Sequence, residues 1–285
     1  MKKVLVAVLA FAAIQLSAQD LPKPSPFSTL EQRVGLTDFK VEYSRPGVKG
    51  REIFGGLEAY DKLWRTGANK ATAISFNTPV MFAGKEVPAG TYSIFSIPSN
   101  GAWTLILNKN TELYGTDGYD EAMDVLRLEL EPMKSEMTET FTIDFQSIMD
   151  GKANMEISWE NTKIVVPIKV DVQKKAISNI KEALANGEEK DLWAINRNAA
   201  IYYSRNDIDQ KMALKYMTTS LELKKDNWYS HYVHGEILNR LGDNKGAVKA
   251  AEMAMEIGVS AAEKAGKDFG YGDMIEKAMK EWSAK

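Results

Sequence analysis

Apolar and polar positions along the chain follow two different periods, and the change falls near residue 171. From about residue 28 to 170, apolar residues recur at every second position, as Phe39, Val41 and Tyr43 do between polar neighbours. A period of two is typical of strands that bury one face. About nine such segments, separated by glycine-containing turns, predict a β-sandwich or barrel-like roll over residues 28–170.

Some segments of this region carry more specific predictions. Residues 92–97 and 103–107 are almost continuously apolar, which favours central strands. Pro167 has no backbone N–H, so we expect residues 164–170 to form an edge strand. Residues 57–63 are expected to form one or two helical turns. Turn sequences predict hairpin connections at residues 83–85, 88–90, 99–101 and 150–151.

After residue 171 the apolar period becomes 3.6, which predicts helices. Similar residues then recur 34 positions apart, the spacing of the tetratricopeptide repeat. The matching pairs are Ala213 and Ala247, Met217 and Ala251, Ser220 and Ala254, and Leu223 and Ile257. We therefore predict an all-α, tetratricopeptide-like region over residues 171–285, with a generic helical bundle as the alternative.

The N-terminus has the features of an export signal. Lys2 and Lys3 precede an apolar run over residues 4–16, and Ser17-Ala18 supplies the small residues of a cleavage site. Residues 1–18 are therefore predicted to be a signal peptide, with a retained anchor or a buried helix as alternatives. Residues 19–27 contain three prolines and are expected to be an extended spacer.

Composition narrows the classes of function. The 36 basic and 39 acidic residues leave a net charge of −3, which argues against a nucleic-acid partner. The chain has no cysteine, which excludes disulfides, thiolate chemistry and a lipid-modified N-terminal cysteine. With two histidines, we expect no metal site, no cofactor and no catalytic triad. We expect a periplasmic or secreted protein that has no lipid anchor and, once the signal is removed, no membrane span.

The candidate binding residues lie in residues 40–70, a segment that contains seven basic and four acidic residues. Guanidinium groups such as those of Arg45, Arg51 and Arg65 bind carboxylates or phosphates. Trp64 supplies a flat ring that can stack on a sugar. The alternative is structural: Trp64 fills the core under a lid helix, while Arg45 and Arg65 pair with acidic residues.

Two strings in this segment carry a family resemblance. YSRPGVKGREIFG (residues 43–55) and LWRTGANKAT (residues 63–72) resemble the two signature blocks of an exported bacterial family catalogued as domain of unknown function 2911. VPAGTYSIFSIP (residues 87–98) and WTLILNKN (residues 103–110) resemble its next blocks. A helical repeat tail often follows this domain. The family has no established activity, so the resemblance implies a fold and export but no reaction.

The predicted ligand-binding residues all match the family pattern in these two blocks. They are Tyr43, Arg45, Lys49, Arg51, Trp64, Arg65, Thr66 and Asn69. Lys70 departs from the acidic residue that the pattern leads us to expect, which argues against a metal or acid role at that position.

Two further groups of residues have both a functional and a structural interpretation. His231 and His234 have the spacing of metal ligands on a helix, but the repeat register predicts that they pack between helices. The same register predicts a groove that binds a protein partner or packs against the β domain. Its predicted lining is Tyr229, Tyr232, Glu236 and Asn239.

Carboxylates crowd a glycine-containing loop after residue 113. Asp117, Asp120, Glu121 and Asp124 have the chemistry for glycoside hydrolysis or calcium binding, although their spacing matches no calcium loop. The structural alternative is a solvated surface with an aspartate that caps a short helix.

Three hypotheses of function follow. The first is an exported, non-catalytic binding or assembly protein that holds a polar ligand, anionic or glycan, at the basic segment. The second is an interaction module whose helical tail docks a protein. The third is a hydrolase that acts on an extracytoplasmic glycan through carboxylates near Asp117, with Arg65 stabilising charge.

Overall fold

The computed structural model describes residues 21–284, so the predicted signal peptide lies outside the described residues. The chain divides between Val172 and Gln173 into a β unit and a helical unit. Within the β unit the strands form two open sheets, which confirms the sandwich and excludes a closed barrel. Among the described residues, no helix has both the length and the apolar character needed to cross a membrane.

Ten strands build the β unit. In chain order they are β1 Phe27–Val34, β2 Thr37–Ser44, β3 Thr72–Phe76, β4 Val80–Phe82, β5 Lys85–Val87, β6 Gly90–Ile97, β7 Trp103–Asn108, β8 Asp124–Leu130, β9 Met133–Met149 and β10 Lys152–Val170. The first sheet has the order β1-β2-β3-β6-β7-β8, and the second has the order β5-β4-β10-β9. All neighbouring strands are antiparallel.

The inward faces of both sheets form one apolar core, as the period of two predicts. On β2, Phe39 and Val41 point inward, and on β9 Phe141 and Phe145 do the same. The rings of Phe39 and Phe145 lie 5.3 Å apart, so aromatic contacts join the two sheets. The central position of β6 and β7 in the first sheet is confirmed.

One local prediction is wrong: residues 57–63 form turns instead of a helix. β10 as a whole lies between β4 and β9, but its ladder with β9 covers Lys152 to Lys163. Residues 164–170 therefore pair with β4 alone, through Ile168 to Val170, as the edge prediction for this segment requires. Pro167 lies just outside that ladder, and its carbonyl accepts a hydrogen bond from Ala83 N–H (2.8 Å).

Three of the four predicted turns join paired strands. The turns at residues 83–84, 98–102 and 150–151 connect β4 to β5, β6 to β7 and β9 to β10. The fourth, at residues 88–89, carries the chain from β5 in the second sheet to β6 in the first.

The loop over residues 109–123 covers part of the outer face of the first sheet. Ala71, Phe95 and Ile106 form a small second core there, against which Leu113 and Tyr119 of the loop pack. This loop also carries Gly115, which lies close to one of the predicted ligand-binding residues.

Six helices follow, as the change of period predicts. They are α1 Val172–Asn186, α2 Leu192–Arg205, α3 Gln210–Leu223, α4 Trp228–Arg240, α5 Asn244–Lys264 and α6 Gly272–Ser283. Side-chain caps start three of them: Asp209 accepts a hydrogen bond from Met212 N–H, Asn227 from Ser230 N–H and Asp243 from Gly246 N–H.

Residues that are 34 positions apart occupy equivalent buried sites on α3 and α5. Ala213 and Ala247 are both fully buried, and so are the pairs formed by Met217 with Ala251 and Ser220 with Ala254. Leu223, in the fourth pair, is half-exposed. On α4, a Cβ at Gly235 would lie 2.6 Å from the Trp282 ring, so only glycine fits this close approach.

Candidate functional site

The first signature block (residues 43–55) leaves the first sheet at the end of β2 and pairs with β9 of the second sheet. Gly47 forms an antiparallel bridge with Thr140. Val48 N–H donates to the Glu139 carbonyl (2.7 Å), and Phe141 N–H donates to the Pro46 carbonyl (2.9 Å). Because β9 is the last strand of its sheet, this segment covers part of an otherwise unpaired edge.

The side chains of Tyr43 and Arg45 also hold the first signature block against β9. The Tyr43 hydroxyl lies 3.3 Å from the Ile143 carbonyl and 3.2 Å from its amide nitrogen, and the tyrosine is buried. Arg45 donates from Nε to the Phe141 carbonyl (2.9 Å) and from Nη2 to Thr142 Oγ1 (2.8 Å). The acidic partner expected for Arg45 in the structural interpretation is therefore replaced by backbone and hydroxyl oxygens.

Trp64 lies in the core, where no ligand ring can stack on it. It is 3% exposed, and its ring stacks on Trp159 at 5.8 Å. Its Nε1–H donates to the Gly67 carbonyl (3.1 Å). The expectation of a sugar-stacking surface is wrong at this residue. The core-filling alternative is right, although turns rather than a lid helix lie before Trp64.

Thr66 and Asn69 hold the turn of the second signature block (residues 63–72). Thr66 is fully buried, and its hydroxyl hydrogen-bonds with that of Ser96. Asn69 Nδ2 donates to Ser44 Oγ (3.1 Å) and to the Ser25 carbonyl (3.4 Å), so it also fixes the end of the proline-rich spacer. Both residues have positive φ, 51° and 62°, which makes them part of a tight backbone turn.

Lys49 and Arg51 lie on the surface of the first block. Lys49 N–H donates to Glu139 Oε1 (2.9 Å), while its side chain is exposed. Arg51 donates to two carbonyls of its own loop, from Nε to Val48 (3.0 Å) and from Nη2 to Gly47 (2.6 Å). The guanidinium of Arg51 therefore closes this loop.

Arg65 differs from the other predicted arginines because its Nε donates no hydrogen bond within the described part of the chain. Its Nε is buried and has no hydrogen-bond partner among residues 21–284. One of its terminal nitrogens, Nη1, lies 4.0 Å from the point that a Cβ on Gly115 would occupy. The guanidinium thus lies beside the side-chain-free backbone of the loop over residues 109–123.

Glu58 is the carboxylate that acts on Arg65, and the sequence analysis did not single it out. Burial raises the pKa of Glu58 from 4.5 to about 7, against the opposing effects of Arg65 and then Arg51. The backbone of Glu58 is fixed in a tight loop, since its N–H donates to the Ile53 carbonyl (2.8 Å) and its carbonyl accepts from Gly55 N–H (2.9 Å). We call Arg65 and Glu58 the Arg65–Glu58 site.

A comparison with protein families matches residues 25–168 to the family described as "Protein of unknown function (DUF2911)". The chain belongs to this family. The match covers the β sandwich except the last two residues of β10, includes both signature blocks, and confirms the resemblance. A search of curated proteins finds no match. The description of the DUF2911 family names no activity, so function has to be argued from the geometry.

The acidic loop of this DUF2911 unit mostly serves its own structure. Asp120 caps a short 3-10 helix by accepting from Ala122 N–H (2.9 Å), as the structural alternative predicted. The Asp124 carboxylate accepts from the Tyr119 hydroxyl (2.7 Å) and from Asn108 Nδ2 (2.7 Å). Asp117 is exposed. Among the described residues, no group of three or more metal-ligating side chains converges.

The predicted groove residues of the helical unit are only partly brought together. Arg205 Nη2 donates to the Tyr229 hydroxyl (3.2 Å) and to Glu236 Oε2 (3.1 Å). Tyr232 stacks on Trp282 at 6.0 Å. Asn239 Oδ1 is buried and has no partner in the described part of the chain.

The two histidines of α4 are accounted for by a backbone contact and by burial. His231 Nε2 lies 2.8 Å from the Lys225 carbonyl, with which it hydrogen-bonds as a donor in the matching tautomer. Burial lowers the pKa of His234 below its usual value, and the neighbouring His231 adds to this effect. Nothing in this arrangement requires a metal ion.

Proposed function

We propose that this protein is an exported, non-catalytic binding protein whose β unit holds a polar, anionic ligand at the Arg65–Glu58 site. The observation that carries the proposal is the buried Arg65 Nε, which has no hydrogen-bond partner among the described residues. A buried donor without a partner costs about 1–3 kcal/mol. A carboxylate or phosphate oxygen of a ligand that displaces the atoms covering Nε would recover that energy and form a charge-assisted hydrogen bond.

The surroundings of Arg65 support this role. The other two arginines of the basic segment already donate to carbonyl and hydroxyl oxygens. Gly115 places no side chain beside Arg65 Nη1. Burial raises the pKa of Glu58 to about 7, so near neutral pH its carboxyl only partly compensates the charge of Arg65.

Two further parts of the proposal, export and a repeat-like helical unit, are supported by the sequence and by burial. The N-terminal pattern supports removal of residues 1–18 and delivery to the periplasm or the exterior without a lipid anchor. The equivalent burial of residues 34 positions apart supports a tetratricopeptide-like helical unit. We propose that this unit contacts a protein partner through Tyr229, Tyr232, Glu236 and Asn239.

The ligand proposal is tested by comparing Arg65→Gln with Arg45→Gln. Calorimetric titration with inorganic phosphate, acetate, glucuronate and glucose measures binding, and thermal unfolding measures stability. We expect Arg65→Gln to abolish binding of the anionic probes without lowering Tm, and Arg45→Gln to lower Tm and retain binding. The proposal is contradicted if Arg65→Gln still binds the anionic probes. It is also contradicted if the wild-type protein binds none of them.

A carboxylate-dependent hydrolase acting on an extracytoplasmic glycan is the second candidate. It is favoured by the carboxyl of Glu58, whose pKa of about 7 suits a general acid. The test is turnover of cell-wall and polysaccharide substrates by the wild-type protein, with Glu58→Gln and Asp117→Asn as variants. Turnover that either variant abolishes would replace the non-catalytic proposal.

A further inference from the structure

The helical unit holds a second group of cations that the sequence analysis did not single out. Trp193 lies near the start of α2, and Lys224 directly follows α3. Lys224 Nζ lies 4.2 Å from the centroid of the Trp193 ring, and Arg197 Cζ lies 5.0 Å from the same ring. Arg197 is also 5.9 Å from the ring of Tyr229. Cation–π contacts of this kind hold both positive groups beside one indole.

Neither cation is neutralised by a carboxylate in the described part of the chain. Within the described residues, the Arg197 guanidinium donates to the side-chain oxygen of Asn198, at 3.2 and 3.4 Å, and to no carboxylate. Lys224 forms no ion pair among residues 21–284. Arg205, by contrast, is paired with Glu236 at 3.1 Å. Two positive charges therefore remain available beside the rings of Trp193 and Tyr229.

The backbone under these side chains is firmly held. Ser220 of α3 is fully buried, and its Oγ donates to the Trp193 carbonyl (2.7 Å), which joins the end of α3 to the start of α2. Asn227 caps α4 through Ser230 N–H (2.9 Å), directly before Tyr229. A rigid support of this kind lowers the entropic cost of ordering the site when a ligand binds.

We propose that Trp193, Arg197, Lys224 and Tyr229 bind an acidic peptide segment of a protein partner. The proposal rests on the protein-contact role proposed above for the helical unit and adds the chemistry of the partner. Alternate side chains of an extended peptide lie on one side, about 7 Å apart. Both cations lie within 5.0 Å of the Trp193 ring centroid, so we expect two carboxylates with one residue between them to reach the two cations, with Tyr229 beside the intervening backbone.

Fluorescence anisotropy of the full chain with a labelled Asp-Ala-Asp-Ala-Asp peptide tests this site. An Asn-Ala-Asn-Ala-Asn peptide is the matched neutral probe. We expect the acidic peptide alone to bind, with affinity that falls as salt is added. Arg197→Gln and Lys224→Gln should each weaken binding about tenfold, since a charged contact is lost. Lys211→Gln, which removes an exposed charge from α3, should leave binding unchanged.

Several results would overturn the proposal. The first is that the neutral peptide binds as tightly as the acidic peptide, and the second is that Lys211→Gln weakens peptide binding as much as Arg197→Gln does. The third is that oligothymidine binds more tightly than the acidic peptide and depends on Arg197. If Tyr232→Ala weakens peptide binding and Arg197→Gln does not, the helical unit still contacts a peptide, but through another face, and this site is wrong. Binding of inorganic phosphate at Arg65 is measured in a separate experiment. If phosphate does not bind there, the ligand proposal for the β unit is wrong, but the peptide experiment still tests the helical unit.

Discussion

Glu58 makes the stability of the β unit depend on pH in a direction that can be worked out. Its carboxyl has a pKa of about 7 in the folded protein, against 4.5 as the reference value. Between these two values the folded state binds more protons than the unfolded state, so the free energy of unfolding falls as pH rises. The stabilisation is complete below about pH 4.5 and is lost as pH passes 7.

The size of this effect follows from the same two pKa values. A rise from 4.5 to about 7 corresponds to about 3.4 kcal/mol. Because the side chain is only half-buried, water screens part of this energy, and we expect roughly 1–2 kcal/mol. Glu58→Gln keeps the shape of the protonated carboxyl and removes its titration. The variant should be more stable than the wild type by that amount at pH 8 and nearly equal to it at about pH 4, below the reference pKa of 4.5.

Two measurements check this prediction. Urea unfolding at about pH 4 and pH 8 compares wild type and Glu58→Gln with Glu52→Gln, which changes an exposed carboxylate of the same loop and is the matched control. Carbon-13 NMR of the glutamate carboxyls follows the titration directly, with the Glu58→Gln spectrum providing the assignment. The reasoning is refuted if the Glu58 signal titrates near 4.5, or if Glu52→Gln and Glu58→Gln change the pH dependence equally.

Three further predictions concern residues that the structure assigns to packing. Arg45→Met removes two hydrogen bonds to β9 and should lower the free energy of unfolding by about 1–3 kcal/mol, measured by urea unfolding. Trp64→Phe should cost about 1–3 kcal/mol, since it leaves a gap in the aromatic core and frees the Gly67 carbonyl, and an unchanged unfolding midpoint would contradict this. Gly235→Ala would bring a Cβ to 2.6 Å from Trp282 and should lower the helical melting temperature by circular dichroism, whereas Gly270→Ala, with open space around it, should not.

Burial separates the members of the predicted site more clearly than composition does. Within the second signature block, Trp64 and Thr66 are buried, and Arg65 between them is half-buried. These residues lie outside the ten strands, and Thr66 has a φ of 51°, so a turn held by hydrogen bonds to Ser96, and not strand alternation, decides which side chains face inward. Composition groups all three residues as a basic and aromatic site, because counting residue types does not report burial.

Glu58 had no comparable signal in the sequence. Its pKa depends on burial by a loop whose closure is set by hydrogen bonds to Ile53 and Gly55, and no periodic pattern predicts such a closure. The place of β10 in its sheet had only a partial signal in the sequence. Pro167 indicates a missing donor at one residue and fits the one-sided pairing of residues 164–170, whereas the pairing of Lys152 to Lys163 with β9 has no comparable signal.

The two signature blocks show why a recognisable string is a poor guide to a binding site by itself. Most of their polar groups meet oxygens and nitrogens inside the protein, where they carry the chain from the first sheet to the exposed edge of β9. An uncovered edge strand pairs readily with other chains, so closing this edge is a structural requirement of the sandwich. Edge closure explains Tyr43 and Arg45, which contact β9, whereas Asn69 joins the turn of the second block to Ser44 and Ser25. Arg65 makes neither kind of contact through its Nε, which is buried and meets no acceptor in residues 21–284, so the ligand proposal depends on this residue.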